Sequence, residues 1–410
     1  MTASDARRAV EAVWRIESAR LIAGLARVVR DVGLAEELAQ DAMVSALEQW
    51  PGTGIPRNPG AWLMTAAKNR AVDQIRRSRN YQRKLAEIGR DQEQDHAPDA
   101  GSSVGDIDDD LLRLVFTACH PVLSTEAQVA LTLRMLGGLS TDEIARAFLV
   151  AESTVAQRIV RAKKTLAKAG VPFEVPAEDE RDARLASVLG VIYLIFNEGY
   201  SATAGDDWMR PALCADALRL ARVLAGLMPR EPEVHGLVAL LEIQASRSRA
   251  RIGPNGEPVL LLEQNRARWD QLLIRRGLAA LEKAGGGPYS LQARIAACHA
   301  RARTPEETDW TRIVGYYEAL SLVAPSPIVD LNHAVATSMA FGPAVALELV
   351  DELVDEPALK GYHLLPSVRG DLLARLGRAA EARAEFERAA TMTRNERERT
   401  LLLDRAAACG

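Results

Sequence analysis

Apolar residues recur at helical spacing, three or four positions apart, along almost the whole chain. Long alternations of valine or isoleucine with polar residues, which would indicate strands, are hard to find. Alanine, leucine and arginine dominate, and all three favour helix. Because 48% of the 410 residues are hydrophobic, the chain can form two or three separate cores. The sequence therefore predicts an all-α protein of several helical domains.

The charge and hydropathy patterns exclude several classes of protein. A net charge of −4 argues against nucleic-acid binding over the whole surface, so any such function must lie in a local basic patch. The N-terminal segment carries charges every few positions and has no signal-peptide core. The most apolar run, Val188 to Phe196, is too short to cross a bilayer. We therefore expect a cytoplasmic protein with no membrane partner.

The cysteines are scattered without a C-x-x-C pair, which is typical of reduced thiols rather than of disulfides or a zinc site. They are Cys119, Cys214, Cys298 and Cys409. Cys119 and Cys298 each precede a histidine, but neighbouring residues on a helix point about 100° apart. We expect both pairs to pack in cores, and we expect no metal and no cofactor.

The segment AWLMTAAKNRAVDQIRRSRN, Ala61 to Asn80, has the pattern of an amphipathic helix with an unusual polar face. One half is apolar and is expected to be buried: Leu63, Met64, Ala67, Ala71 and Ile75. The opposite stripe can contact bases and phosphates: Trp62, Asn69, Asp73, Arg76 and Asn80, with Arg70 and Arg77 beside it. From Arg57 to Lys84 there are eight cations against one acid. The alternative is a solvated helix whose arginines only maintain solubility.

Composition divides the chain into four parts. Residues 1–86 are helical, and residues 87–110 are acidic, rich in helix breakers and predicted to be a flexible linker. The alternative for the linker is an acidic mimic of DNA that shields the basic patches. Residues 111–170 form a second helical domain, and residues 180–410 form a long helical extension.

The second domain contains LSTDEIARAFLVAESTVAQRIVRAKK, which has the pattern of a helix-turn-helix. Ser140 or Thr141 can cap the first helix, and the second is expected to begin near Glu152 or Ser153. On the second helix the apolar stripe is Val155, Ile159, Ala162 and Leu166, and the polar face is Ser153, Gln157, Arg161, Lys164 and Lys168. Leu149 stands where the turn often has glycine. The alternative is a helical hairpin that does not bind DNA.

Proline and glycine interrupt the helical pattern of the extension at intervals. Such intervals are typical of an array of helix hairpins. Gly377, Ala382, Phe386 and Ala389 have the offsets of the second helix of a tetratricopeptide-like (TPR-like) repeat. Tyr316 and Ala319 recur 70 residues later as Phe386 and Ala389, and Gly342 recurs 35 residues later as Gly377. Both shifts are multiples of 35, near the repeat length of about 34. We predict a TPR-like α-helical domain.

Two motifs in series resemble a known family. LAEELAQDAMVSALEQW (Leu34 to Trp50), followed by AWLMTAAKNRAVDQIRR, closely resembles region two of the extracytoplasmic-function (ECF) sigma factors of bacterial RNA polymerase. The helix-turn-helix resembles their region four, and order, spacing and linker agree over about the first 170 residues. The segment FNEGYSAT (Phe196 to Thr203) and the repeats resemble a subgroup whose extension controls activity.

The resemblance implies partners and site residues. Core RNA polymerase would bind around Glu37, Gln40 and Asp41, which match the surface that docks on the clamp coiled coil of its largest subunit. The minus-ten element of promoter DNA would contact Arg57, Asn58, Trp62, Asn69, Arg70, Asp73, Arg76, Arg77 and Asn80, and the loop Pro51 to Gly60 would capture a flipped base. Trp62 has the alternative of a packed aromatic residue. The minus-thirty-five element would contact Ser153, Thr154, Gln157, Arg158, Arg161, Lys163, Lys164 and Lys168.

The sequence favours a promoter-specificity subunit that performs no chemistry. Asn197, Glu198 and Tyr200 suggest an enzymatic site, but no nucleophile, phosphate loop or metal spacing completes it. We expect Gly199 to form a turn instead, and Asp206 and Asp207 to cap a helix. Two alternatives stay open: a stand-alone helix-turn-helix regulator with a sensing repeat domain, and a repeat scaffold that binds proteins. We also expect the extension to contact the DNA-binding half directly.

Overall fold

The computed structural model describes residues 3–86, 104–202, 204–205, 209–254 and 256–409. It is 77% helical, with 18 α-helices and two strands of two residues each in the described part. The prediction of an all-α protein is confirmed. The chain divides into two compact units, Met1–Val191 and Ile192–Gly410, and each is described by itself.

The first unit is helical throughout its described residues. Its helices are α1 (Ala3–Val29), α2 (Val32–Thr53), α3 (Pro59–Ala86), α4 (Val104–Ala118), α5 (Thr125–Met135), α6 (Thr141–Phe148), α7 (Glu152–Lys168) and the first part of α8 (Glu178–Tyr200). No helix in the described residues is both long enough and apolar enough to cross a membrane.

The helices α1, α2 and α3 pack against one another through small and branched apolar side chains. Their buried faces include Leu21, Ile22, Leu25, Leu38, Ala42, Leu63, Ala67 and Ala71. The apolar half predicted for α3 is buried at three of its five positions, Met64 is half-buried, and the side chain of Ile75 lies outside the described part. A side chain at Gly24 would meet Met64 Cε at 2.9 Å, so the end of the Met64 side chain packs directly over Gly24.

The helix-turn-helix forms where the sequence predicts it, as α6 and α7. Of the two candidate caps, Ser140 is the one used: its Oγ accepts from Glu143 N, and Glu143 Oε2 accepts from Ser140 N. The predicted apolar stripe of α7 is buried. Leu149 ends α6 in the left-handed region, at φ 51° and ψ 43°, which explains why glycine is common at this position.

The predicted linker is shorter in the structure, because α4 begins at Val104. Asp110 ends up buried on α4, where Arg113 Nη1 donates to it at 2.7 Å and Arg27 of α1 lies 3.2 Å away. A buried carboxylate held by two cations is part of a folded core and not of a tether. Residues 87–103 lie outside the described residues.

The second unit continues α8 and adds ten helices in its described part. These are α9 (Pro211–Leu227), α10 (Pro232–Ser246), α11 (Gln271–Leu281), α12 (Pro288–Arg301), α13 (Trp310–Val323), α14 (Pro327–Phe341), α15 (Pro343–Glu352), α16 (Leu364–Arg375), α17 (Ala379–Met392) and α18 (Glu396–Ala407). Five of them begin at a proline, as expected of a residue that has no N–H to leave unpaired in the first turn.

The residues that carry the repeat pattern occupy equivalent structural places. Gly342 and Gly377 each separate two helices with positive φ, 101° and 77°. On α17, Ala382, Phe386 and Ala389 are buried in one core. The helices therefore form hairpins with the predicted junctions, and the TPR-like assignment stays a prediction.

Two short parallel strands tie the beginning of the second unit to its end. β1 (Ala204–Gly205) pairs with β2 (Arg394–Asn395). The buried Asn395 donates from Nδ2 to the carbonyl of Ala202 at 3.1 Å. Segments that lie 193 residues apart in the chain are thus joined by backbone and side-chain hydrogen bonds.

The prediction of a turn at Gly199 is wrong, because α8 runs on to Tyr200. A side chain at Gly199 would meet Cys214 N at 2.7 Å and Leu213 Cβ at 2.8 Å. Gly199 is therefore needed for the close approach of α8 to α9 and not for a turn. Asp206 and Asp207, the predicted caps, lie outside the described residues.

Cys119, Cys298 and His299 are buried as predicted, whereas His120 is half-buried. Cys119 is buried with Sγ 3.4 Å from Thr132 Oγ1, and burial raises its pKa to about 12. Burial likewise raises the pKa of Cys298. Among the described residues no group of histidine, cysteine and acidic side chains is arranged to hold a metal ion.

Candidate nucleic-acid interface

The helix α7 presents a polar face to solvent because its apolar stripe is buried against its own domain. The exposed residues of the predicted minus-thirty-five set are Ser153, Thr154, Gln157, Arg161, Lys164 and Lys168, and Arg158 is half-buried. Beyond Glu152 in the first turn, the helix carries no acid. This face can bind phosphates through its cations and base edges through Gln157 and Arg161.

A cleft of about 410 Å³ runs between α7 and the start of α5. Thr154, Gln157, Arg158 and Arg161 line one wall. Glu126 lines the other, and hydrogen bonds from its own backbone and from Ser124 keep its pKa low, with a smaller contribution from Arg158. Arg158 is half-buried at this cleft, whereas Arg161 is exposed.

Lys163 differs from the rest of its set, because it pairs with an acid on α2. Its side chain is only 18% exposed, and its Nζ contacts Glu36 Oε2. Arg134 of α5 donates from Nε to the other oxygen, Glu36 Oε1, at 2.6 Å. Gln40 also donates to Oε1. We call Glu36, Arg134 and Lys163 the Glu36 cluster.

Further contacts in the first unit join α1 to α6 and to the turn that precedes it. Arg15 of α1 donates to Glu143 Oε1 at 2.6 Å. Burial alone would raise the pKa of Glu143, but hydrogen bonds from Ser140 and Arg15 outweigh it and hold this pKa below its usual value. Gly138, at φ 70°, lies so close to α1 that a side chain there would meet Ser18 Oγ at 2.9 Å.

The predicted minus-ten residues of α3 divide into an exposed and a packed group. Asn69, Asp73 and Arg76 are exposed. Arg70 is half-buried and donates to Ser45 Oγ of α2 at 2.6 Å, with Asp41 3.7 Å away. The side chains of Arg77 and Asn80 lie outside the described part of the chain.

Trp62 is half-buried and packs edge-on against the buried Trp50, with ring centres 5.5 Å apart and an angle of 68°. This is the packed arrangement that the sequence left as an alternative, and it leaves part of the ring exposed. Trp62 therefore combines a fixed orientation with an accessible surface on which a base can stack.

The loop that precedes α3 is shorter than predicted. α2 continues through Thr53, and Gly54, at φ 83°, ends it. Asn58 is exposed and accepts from Ala61 N at 3.1 Å, so it caps α3. Arg57 is exposed beside it.

The predicted polymerase-docking residues lie along α2. Glu37 and Asp41 are exposed, and Gln40 is half-buried because it turns toward Glu36. Both carboxylates lie on one helix face, with Asp41 3.7 Å from Arg70, and they form a small acidic surface that suits a basic partner.

Comparison with protein families matches three consecutive segments of the chain. Residues 16–81 match sigma-70 region 2, and residues 113–166 match sigma-70 region 4. The first half of the chain therefore carries the two domains of a sigma-70-like factor, regions 2 and 4, in that order. Residues 184–285 match a family of unknown function, DUF6596. Regions 2 and 4 are therefore the α1–α3 and α4–α7 parts of the first unit.

Two relatives extend the comparison. An uncharacterised protein of Rhizobium meliloti (strain 1021), R00370, is 46% identical over 380 residues, 91% of this chain and 89% of that protein, so the two belong to one family. A protein of Mycobacterium tuberculosis (strain H37Rv) named probable ECF RNA polymerase sigma factor SigI is 28% identical over 181 residues, 42% of this chain and 59% of that protein. No solved structure matches the chain.

Regions 2 and 4 are in contact in this sigma-70-like factor, and sequence reasoning missed the residue at the centre of that contact. Glu36 lies among small buried residues of α2, Ala35 and Ala39, and is itself only 2% exposed. The available signal was an acid within an apolar stretch. Its partners, Arg134 and Lys163, lie in another domain and have no local signature.

Proposed function

We propose that this sigma-70-like factor is of the ECF type: it binds core RNA polymerase, directs it to a two-element promoter and promotes strand opening. The order of regions 2 and 4 supports this, as does similarity to a protein named probable ECF RNA polymerase sigma factor SigI. The observation that carries the proposal is the exposed face of α7, with Gln157, Arg161 and Lys164 opposite a fully buried stripe.

Region 4 supplies recognition of duplex DNA in this proposal. α7 enters the major groove at the minus-thirty-five element, where Gln157, Arg161 and Lys164 read base edges and Lys168 contacts phosphate. Region 2 supplies strand opening: Asn69, Asp73 and Arg76 line the path of the minus-ten strand, and Trp62 offers a ring for an unstacked base. Glu37 and Asp41 meet core polymerase.

The contact between regions 2 and 4 is incompatible with simultaneous binding of both elements. About 25 base pairs separate the two elements, which is roughly 85 Å of duplex at 3.4 Å per base pair. Two touching domains of these sizes span only about 55–60 Å. We infer that the structure is a closed form and that the Glu36 cluster must break before a promoter is engaged.

The extension controls this opening in our proposal. Its first residues on α8 already pack on region 4 within the first unit: Arg184 Nη2 donates to the carbonyl of Phe116 at 2.9 Å, and Ser187 Oγ donates to that of Cys119 at 3.0 Å. Since α8 also supplies residues to the second unit, a change there reaches region 4 through a continuous helix.

Run-off transcription tests the proposal. The full chain is mixed with purified core RNA polymerase on promoters selected from genomic DNA by the full-length holoenzyme, and initiation at defined start sites is expected. Duplex binding without initiation would favour a stand-alone regulator, and absence of salt-dependent DNA binding would favour a protein scaffold.

A pair of variants assigns recognition to α7. Arg161→Ala removes an exposed cation from the reading face and is expected to lower promoter affinity about 5- to 150-fold, the value of one good base contact. Lys283→Ala removes an exposed cation at the end of α11 and should leave affinity unchanged. Equal effects from both variants would contradict the assignment.

A further inference from the structure

The second unit contains a group of buried and half-buried cations that promoter binding does not use. Arg247 and Arg251 follow α10, and Arg266 lies on the segment that leads to α11. The guanidinium carbon of Arg251 lies 3.6 Å from the centre of the Tyr200 ring, and that of Arg266 lies 5.0 Å from the Trp269 ring. The guanidinium carbon of Arg247 lies 5.8 Å from both rings. We call these five residues the arginine cluster.

Arg247 is 8% exposed and has only neutral hydrogen-bond partners among the described residues. Its Nη2 donates to Tyr200 Oη at 2.6 Å and to the side-chain oxygen of Gln244. It forms no ion pair with a carboxylate in the described part of the chain. A buried cation without a carboxylate is unfavourable unless something else supplies negative charge.

Among the described residues, the hydrogen-bond partners of Arg266 are also neutral. It donates to the carbonyls of His299 and Ala302 at 2.7 and 2.8 Å and to Thr308 Oγ1 at 3.1 Å. Burial lowers its pKa, and the exposed Glu306 raises it from beyond ion-pair distance. Arg266 is half-buried, so solvent reaches this edge of the cluster.

Several polar atoms around Trp269 are buried without a hydrogen-bond partner in the part of the chain that the structure describes. They are the donors Arg247 Nε, Arg266 Nε and Trp269 Nε1, together with His299 Nδ1. Burial, assisted by Arg247 and Arg266, lowers the pKa of His299 to about 3, so its ring is neutral at pH 7. Buried polar groups in proteins are nearly always paired, and three unpaired N–H donors in one place match a ligand made of acceptors.

We propose that the arginine cluster binds a small ligand through an oxyanion, a carboxylate or a phosphate group. Guanidinium groups bind such anions through charge-assisted and often bidentate hydrogen bonds. All five residues lie within the segment matched to the family of unknown function, so this segment is a ligand-binding module. The proposal does not depend on the sigma function.

Isothermal titration calorimetry on the full chain tests the site without polymerase or DNA. Sodium phosphate, sodium acetate and sodium citrate are titrated separately, each against sodium chloride of matched ionic strength. Saturable binding of at least one anion is expected, and the comparison of the three shows whether the site prefers phosphate or carboxylate.

Matched variants locate the binding. Arg247→Lys keeps the charge but removes Nε and the planar fork, and it is expected to weaken binding at least about tenfold. Arg268→Lys makes the same change at an exposed residue next to Trp269 and should bind as the wild type does. Circular dichroism establishes that each variant is folded.

Trp269→Phe supplies an independent variant, because it keeps an aromatic ring at this position and removes the Nε1–H donor together with part of the indole. We expect it to weaken binding while the chain remains folded, and it decides the matter if Arg247→Lys does not fold. The proposal is overturned if none of the three anions binds saturably to the wild type. It is also overturned if Trp269→Phe and Arg268→Lys bind alike, since the arginines then serve only to hold the fold.

Discussion

The Glu36 cluster permits a quantitative prediction for Glu36→Gln. The substitution keeps the size of the side chain and removes the negative charge that Arg134 and Lys163 share. Removing one partner of a buried ion pair costs about 3–5 kcal/mol. Both cations are 18% exposed, so some solvent reaches them, and we take about 2–3 kcal/mol.

The substitution weakens the contact between regions 2 and 4 and does not destabilise either region by itself. Apart from Gln40, the partners of Glu36 lie on α5 and α7, and in the open form Glu36 is solvated. A loss of 2–3 kcal/mol in the closed form therefore moves the equilibrium between closed and open forms roughly 30- to 150-fold toward the open form.

Distances between two spin labels, measured by double electron–electron resonance on the full chain, test this shift toward the open form. Spin labels are placed at Gln49→Cys on α2 and Lys168→Cys on α7, both exposed, with Cys409→Ser as background. Glu36→Gln should add a population at longer distances. Duplex DNA binding should also strengthen, and its salt dependence should steepen by about one released counterion because Lys163 becomes free.

Glu37→Gln is the matched control, since it makes the same change one residue along the helix at an exposed position. It should leave the distance distribution unchanged. If both variants give the distribution of the wild type, the Glu36 cluster does not hold regions 2 and 4 together and the reasoning is refuted.

Three further predictions concern stability. Leu149→Gly should raise the free energy of unfolding by about 0.5–1 kcal/mol in urea titrations, because Leu149 is 55% exposed and its left-handed backbone is strained; Leu149→Ala should give no such gain. Gly199→Ala should destabilise by about 1–3 kcal/mol through overpacking against Cys214, whereas Gly226→Ala, with open space around it, should not lower the melting temperature. Because the pKa of His299 is lowered in the folded state, the unfolded chain binds a proton below pH 6.5 that the folded chain does not bind. The free energy of unfolding should therefore fall between pH 6.5 and 5 by up to about 1.4 kcal/mol per pH unit. His299→Asn should remove this dependence.

Local physical rules made part of this structure predictable. The cap at Ser140, the start of α7 and its buried stripe follow from hydrogen bonds and spacings within a few residues. Leu149 stands out in the sequence because helix-turn-helix units often have glycine at that turn, and the left-handed backbone found there explains the preference. These features need no knowledge of the rest of the chain.

The remaining features depend on partners that are distant in sequence. The sequence places Asp110 in a linker, and only the structure shows that Arg27 lies beside it. The sequence likewise predicts a turn at Gly199, and only the structure shows that α9 approaches it closely. The arginine cluster joins Tyr200 to residues that lie 47 to 69 positions later, with no periodic pattern to connect them. Pairing across such separations is set by packing and not by local propensity.

The hydrogen bond from Asn395 to Ala202 also has a consequence for the timing of synthesis. The second unit cannot complete its β1–β2 pairing until the ribosome has added the 193 residues that separate these positions. At 5–20 residues per second this takes about 10–40 s. Throughout that interval regions 2 and 4 are already available to fold, so each newly made molecule passes through a period in which its promoter-binding half precedes a finished extension.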